Sequence, residues 1–202
     1  LIYNNNLYKF IFFYILYKYI MFLEKFPYNT KILSDKFPKS IPAFIEVTQH
    51  SRMKYEWSHL KKALELDRVL HSAVFYPHNY GFIPQTLCDD GDPLDVLVMC
   101  DGPLQPGCFV NVRPICYMIM EDEKGQDEKL LAVVEKDPHY NHIHKIDDIP
   151  KHKLDEISQF FETYKTLEKE KWVKIGGWEN TTEAYHLIEQ THQKYMNEKK
   201  LS

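Results

Sequence analysis

From residue 41 onward, the pattern of apolar and polar positions is rich in short strands, some alternating with period two and some apolar throughout. Residues 43–48 and 53–58 read as paired strands, with β-branched or aromatic side chains among them. Residues 95–100, 109–120 and 129–136 read as three more, the first two rich in Val and Ile. Residues 171–178 form a further strand candidate that closes on Gly176 and Gly177. Late in the chain the period changes. Leu154, Ile157, Phe160, Phe161, Tyr164 and Leu167 recur at helical spacing behind Pro150, which places Tyr164-Lys165 midway along a helix. A second helix opens with Asn180 and Glu183, a cap residue with Glu three positions on, and runs through Ala184, Leu187, Ile188 and Tyr195. Five or more short strands followed by two helices predict an α+β fold, mainly β. The expected form is a closed or partly closed barrel with C-terminal helices packed outside it.

The head of the chain does not fit this pattern. Residues 7–23 are nearly all aliphatic or aromatic, interrupted by Lys9 and Lys18. Such a run reads as a membrane anchor or an organelle-targeting segment. Lys18 divides it, and no small-residue cleavage site follows; Met21 reads as an alternative start that would leave residues 1–20 outside the folded protein. The expected division is an N-terminal extension over residues 1–40, outside the folded unit, and one domain over residues 41–202.

Composition narrows the class. A 44% hydrophobic content belongs to an ordinary globular chain, and 202 residues suffice for one core. The net charge of −4 argues against a nucleic-acid binder, although bound cations can reverse the sign of a local site. Cys88, Cys100, Cys108 and Cys116 form no Cys-x-x-Cys pair and lie along apolar runs, so buried thiols in a reducing compartment are expected. A cytoplasmic location follows, with organelle targeting by the head segment left open.

The chemistry concentrates in Asp89-Asp90-Gly91-Asp92-Pro93-Leu94-Asp95, which runs directly into an apolar strand. A solvated acidic turn is one reading. Pro93 favours the other, because it fixes the backbone where the acids are presented, and rigid carboxylate oxygens suit hard divalent cations. A second acidic set, Glu121-Asp122-Glu123-Lys124-Gly125-Gln126-Asp127-Glu128-Lys129, could be a plain surface hairpin. A third joins Glu46 to Lys54 and Glu56, which share one strand face by period-two geometry. Arg68 stands in a strand-like Asp67-Arg68-Val69-Leu70, and Tyr76 and Tyr80 frame Pro77-His78-Asn79. His139, His142 and His144 read as a polar loop rather than a transition-metal site.

Taken together, these stretches resemble the family I soluble inorganic pyrophosphatases over residues 41–178. The resemblance rests on Asp90-Gly91-Asp92-Pro93-Leu94-Asp95-Val96 and on Phe75-Tyr76-Pro77-His78-Asn79-Tyr80-Gly81. Asp122-Glu123 with Asp127 and Lys129, Phe160-Phe161-Glu162-Thr163-Tyr164-Lys165 and Lys171-Trp172-Val173-Lys174 complete it. It implies a five-stranded barrel of the oligonucleotide-binding type with flanking helices, and magnesium-dependent hydrolysis of pyrophosphate at a site holding three to four Mg2+ ions. By motif, Asp90, Asp95 and Asp127 would hold the first ion, Asp95 would bridge to a second, Asp122 and Asp127 would carry a third, and Glu56 could face a fourth. Lys54, Arg68, Tyr80, Tyr164 and Lys165 would grip the phosphoryl groups, and Asp92 would be the general base. Glu46, Tyr76, Glu123 and Lys129 would line the pocket. The resemblance leaves room for a homo-oligomer, such as the hexamer common among bacterial members. It gives no reason to expect nucleic acid, nor stable membrane contact unless residues 7–23 are an anchor.

Three rival classes read less well. In aspartyl-phosphate phosphatases the Asp-x-Asp closes an apolar strand, whereas here the strand follows the acids. An EF-hand loop counted from Asp90 would need Gly at position 95 and Glu at 101, where Asp stands at both. A nucleic-acid barrel would want a basic, aromatic-studded face. The nearest alternative is another metal-dependent phosphohydrolase of aspartate-rich type.

Overall fold

In the computed structural model, which describes residues 11–16 and 26–201, nine strands and two long helices follow one another. The strands are β1 (Ile41–Val47), β2 (Met53–Ser58), β3 (Ala63–Val69), β4 (Asn79–Phe82), β5 (Asp95–Met99), β6 (Phe109–Asp122), β7 (Gly125–Gln126), β8 (Lys129–Val134) and β9 (Val173–Glu179). Helix α1 spans Lys151–Thr163 and α2 spans Thr181–Leu201. Five strands close into a ring in the order β1, β4, β5, β8, β6 and back to β1, so the barrel is complete. All its pairs are antiparallel except β5 with β8. The C-terminal half of β6 extends beyond the ring and pairs with β7 and β9. The β2–β3 hairpin is a separate two-stranded sheet.

Period-two geometry splits the core into two apolar clusters. Leu97 and Met99 of β5 join Leu131 and Val133 of β8 and Phe160 and Phe161 of α1 in one cluster. Val96 and Val98 point the other way, with Leu130, Ala132, Ile41, Ala43 and Ile45, and meet Ala184 and Ile188 of α2. The strands are therefore apolar nearly throughout, as expected for strands covered on both faces. β1 and β4 approach so closely at Gly81 that a Cβ there would lie 1.8 Å from the Phe44 carbonyl oxygen. Only glycine fits.

Several elements differ from expectation. β3 and β4 extend what the sequence pattern suggests: only Asp67-Arg68-Val69-Leu70 reads as strand-like, and Asn79–Phe82 is not among the strand candidates. Helix α1 stops at Thr163, so Tyr164 is its C-cap and Lys165 lies beyond it rather than midway along. The Thr163 hydroxyl turns back onto the Gln159 carbonyl at 2.8 Å, the Thr166 hydroxyl bonds the Thr163 carbonyl at 2.9 Å, and Leu167 is exposed. Local side-chain bonds of this kind compete with helix continuation. At α2 the cap behaves as expected: Asn180 Oδ1 accepts from the Thr182 and Glu183 backbone N–H groups at 2.8 and 3.2 Å.

The expected break at residue 41 also fails for the segment just before it. Residues 26–40 pack on the barrel: Ile32 is fully buried in the α2-side cluster, and Phe26 meets Phe44, Trp57 and Phe109 edge to face. Gln85 binds this segment three times. Its N–H donates to the Tyr28 carbonyl at 2.7 Å, its Nε2 to the Asn29 carbonyl at 3.2 Å, and its Oε1 accepts from Ile32 N at 3.3 Å. Of the apolar run at residues 7–23, residues 11–16 form a short helical turn and the rest lies outside the described residues. Among the described residues no helix is long and apolar enough to cross a membrane. Because Ile32 is part of the core, Ile32→Ala should destabilise the fold by about 2–5 kcal/mol. Denaturant unfolding measures this, and an unchanged midpoint would show that the segment is not part of the folded unit.

Candidate active site

A cavity of about 490 Å3 opens on the α1-side face of the barrel. It gathers side chains from β1, β2, β3, β4, β5, β8, the loop before β5, the β6–β7 turn and the segment after α1. The decisive register is β5 against β8, which sets Asp95 opposite Lys129 at the mouth of two adjacent parallel strands. Lys129 is buried, and its ammonium donates to Asp95 Oδ2 at 2.5 Å and also to Asp127 Oδ1. Asp127 is brought there by the β6–β7 hairpin, its N–H bonded to the Met120 carbonyl at 2.8 Å. The same hairpin turn presents Asp122 and Glu123, with Gly125 at φ +123°. Lys165, just past α1, reaches Asp122 Oδ2 at 2.6 Å and lies 3.8 Å from Glu123. The acidic hairpin that could have been a surface turn faces the cavity.

The loop before β5 is tied by its own backbone. Cys88 N–H donates to the Asp92 carbonyl at 2.8 Å, and Asp90 Oδ1 accepts from Asp92 N at 3.0 Å. Its backbone is thus held, but the Asp92 carboxylate is exposed, 3.8 Å from Lys124 Nζ, rather than fixed in place as Pro93 suggested. On the opposite wall Arg68 Nε binds Glu168 at 2.9 Å and its NH1 binds Asp67, while Lys54 binds Glu56 and lies 3.6 Å from Asp67. Glu46 is buried and accepts from Trp57 N at 2.9 Å, which joins β1 to the β2–β3 hairpin.

These contacts set the protonation states. Burial, with Asp95 nearby, pushes the Glu46 carboxyl up to about 8. Burial and repulsion from Asp95 push Asp127 up to about 6 even with Lys129 beside it. Burial and the neighbouring Asp90 raise Asp92. Burial would raise Asp122 too, but the Lys165 hydrogen bond and the Lys124 N–H outweigh it and hold that carboxyl below its ordinary value. Burial keeps the Tyr76, Tyr80 and Tyr164 phenols protonated, hence able to donate. Ten carboxyl and six cationic side chains line the cavity, so with Glu46 keeping its proton the negative charges still outnumber the positive by three. A pocket with that balance repels an anion unless further cations enter with it.

Known proteins share this fold and much of this sequence. A model of the family described as inorganic pyrophosphatase matches residues 43–196. The inorganic pyrophosphatase of Methanosarcina mazei is 46% identical over 158 residues, covering 78% of this chain and 93% of that one. That of Thermus thermophilus is 49% identical over 154 residues, covering 75% and 88%. The crystal structure of inorganic pyrophosphatase from Thermus thermophilus superposes with a TM-score of 0.81 and 45% identity, covering 84% of this chain and 98% of that one. The chain belongs to the inorganic pyrophosphatase family. Hydrolysis of the pyrophosphate anhydride bond is the activity that goes with membership, and the other aspartate-rich phosphohydrolases are not favoured.

Every residue that the pyrophosphatase resemblance singled out lines this one cavity: Glu46, Lys54, Glu56, Arg68, Tyr76, Tyr80, Asp90, Asp92, Asp95, Asp122, Glu123, Asp127, Lys129, Tyr164 and Lys165. The five residues expected to hold metal reach the cavity without converging. Among the described residues no three His, Cys, Asp or Glu side chains meet closely enough to hold one ion, and lysine ammonium groups pair with Asp95, Asp127, Asp122 and Glu56. The sequence reading missed Tyr28, Trp57, Asp67, Phe82, Pro93, Lys124, Glu168 and Lys171 as lining residues. Asp67 adjoins Arg68 in a strand and so lacked a period-two signal; Glu168 follows the unexpected helix end. His139 stands apart, 3.6 Å from Asp101 on the surface.

The raised carboxyls give this pyrophosphatase-family fold a pH signature. Between its ordinary value of 4.5 and its folded value of about 8, Glu46 holds a proton that the unfolded chain has released. Folding then takes up a proton, so stability falls as pH rises through that window. Asp127 adds to the fall up to about 6. In chelator-treated protein Glu46→Gln should flatten the decline between about pH 5 and 8 while keeping an acceptor for Trp57 N. Denaturant unfolding across that range tests this, and parallel curves for the two proteins would refute it.

Proposed function

We propose that this cavity hydrolyses pyrophosphate to two orthophosphates with an activated water, using magnesium, three to four ions at a time. The observation that carries the reading is the excess of acidic over cationic side chains in a cavity that also presents Lys54, Arg68 and Lys165. Its hard, all-oxygen acidic donor set suits magnesium better than a softer metal. Asp90, Asp95, Asp122, Asp127 and Glu56 would hold the ions. When bound, the ions neutralise phosphoryl oxygens and lower the pKa of a coordinated water.

The chain's own groups supply the rest. Arg68, Lys54 and Lys165 would bind the phosphoryl oxygens by exchanging part of their present pairing with Glu168, Asp67, Glu56 and Asp122 for substrate. The protonated Tyr80 and Tyr164 hydroxyls would donate to the same group. Asp92 is exposed and lies at the open edge of the acidic loop, so it can receive the proton that water gives up as its oxygen bonds to phosphorus. The bridging P–O bond then breaks, and its electron pair leaves with the second phosphate, whose added charge the cations take up. Glu46, Tyr76, Glu123 and Lys129 fix the walls. A cytoplasmic setting, without nucleic acid or stable membrane contact, completes this reading; the net charge of −4 argues against a nucleic-acid partner.

Phosphate release from pyrophosphate with Mg2+, compared with p-nitrophenyl phosphate, tests the reaction; preference for the monoester would sink it. Within it, Asp92→Asn should lower turnover by about 10²–10⁴-fold, the usual worth of a general base, while leaving metal affinity in place. Asp95→Asn should weaken magnesium or manganese binding by calorimetry as well as rate. The reverse pattern would overturn the roles assigned within residues 90–95.

A further inference from the structure

The family-matched stretch begins at residue 43, yet one wall of the cavity comes from before it: Tyr28 lines the site. Its ring stands edge-on to Phe82 at 4.6 Å and to His59 at 4.4 Å, so two perpendicular contacts set its plane. Its backbone is held by the Gln85 clamp, three residues ahead of Cys88, whose N–H in turn holds the Asp92 carbonyl. Phe82 is the register partner of Asp95, and it packs on Phe44, two residues before Glu46. Tyr28 is thereby placed on the Glu46, Asp92 and Asp95 side of the cavity. Arg68 and Lys165 come from β3 and from beyond α1. Burial, and after it the acidic side chains Glu46, Asp92, Glu56 and Asp95 around it, keep the Tyr28 phenol protonated.

A neutral hydroxyl among carboxylates is a donor, and a phosphate oxygen belongs with the cations rather than there. We propose that Tyr28 is a positioning residue for the attacking water, its hydroxyl orienting the water or the Asp92 carboxylate that takes the water's proton. The inference rests on Asp92 being that acceptor. It assigns part of the site to the segment that precedes the stretch matched by the family model.

Tyr28→Phe removes the hydroxyl and keeps both ring contacts, so the fold stays intact, checked by an unchanged thermal midpoint. With pyrophosphate and Mg2+, kcat should fall roughly threefold to tenfold, the worth of one neutral hydrogen bond, while KM stays within twofold. In the Asp92→Asn background the same change should have little further effect, because the two residues act on one step. An unchanged kcat, a raised KM with full kcat, or fully multiplicative losses in the double variant would overturn the proposal. Full activity of Asp92→Asn alone would instead overturn the base assignment on which it rests, and is read independently of Tyr28.

Discussion

The ammonium of Lys129 is the point on which the site is hung. It is buried, it is paired in register with Asp95 across β5 and β8, and it also holds Asp127 at the end of the β6–β7 turn. A buried ion pair contributes little net stability against an apolar replacement, because desolvation offsets most of the attraction. Its value here is geometric. Loss of the ammonium alone would leave two carboxylates facing one another across a low-dielectric wall, an arrangement costing several kcal/mol. The Lys129 contacts therefore make the clustering of acids compatible with folding, and they tie the acidic hairpin to the barrel at one place.

The same logic explains why the site sits where it does. β5 and β8 are the parallel neighbours of the ring, and both begin at the cavity. Their odd positions, Asp95 and Lys129, continue the face that deeper in carries Leu97, Met99, Leu131 and Val133 against α1. One period-two register thus changes from packing to chemistry at the strand ends. The last turn of α1 then delivers Tyr164 and Lys165 onto that face, with Phe160 and Phe161 packed beneath as anchors.

How much of this was legible in sequence depends on range. β1 and β2 were visible from local alternation, β5, β6, β8 and β9 from short apolar or β-branched runs, and the acids of residues 89–95 because Pro93 and an apolar strand follow them. Ring closure was only partly legible, since β4 is four residues long and carries Gly81, whose purpose is a contact with Phe44 thirty-seven residues away. The helix end at Thr163 depends on hydroxyl back-bonding that competes closely with continuation, so spacing alone overran it. The catalytic candidates came from motif resemblance, and their meeting in one cavity is a tertiary fact. Asp67 and Glu168, which hold Arg68, and Tyr28, which enters from the segment before β1, have no motif to mark them.

The carboxylate surplus and the lysine pairings are two sides of one constraint. A cavity for a highly charged anion needs cations, but cations fixed permanently as side chains would hold the product as firmly as the substrate. Here the side-chain cations are already engaged: Lys54 with Glu56, Arg68 with Glu168, Lys165 with Asp122 and Lys171 with Glu123. Binding an anion to any of them exchanges one charged partner for another, so the net gain is modest and release is not blocked. The remaining positive charge must then arrive as mobile ions, for which the cavity's carboxylates, most of them now paired with lysines, would be the seats. Dividing the cations into a fixed, pre-engaged set and a mobile set lets one pocket stabilise charge as it develops and still let two phosphates go.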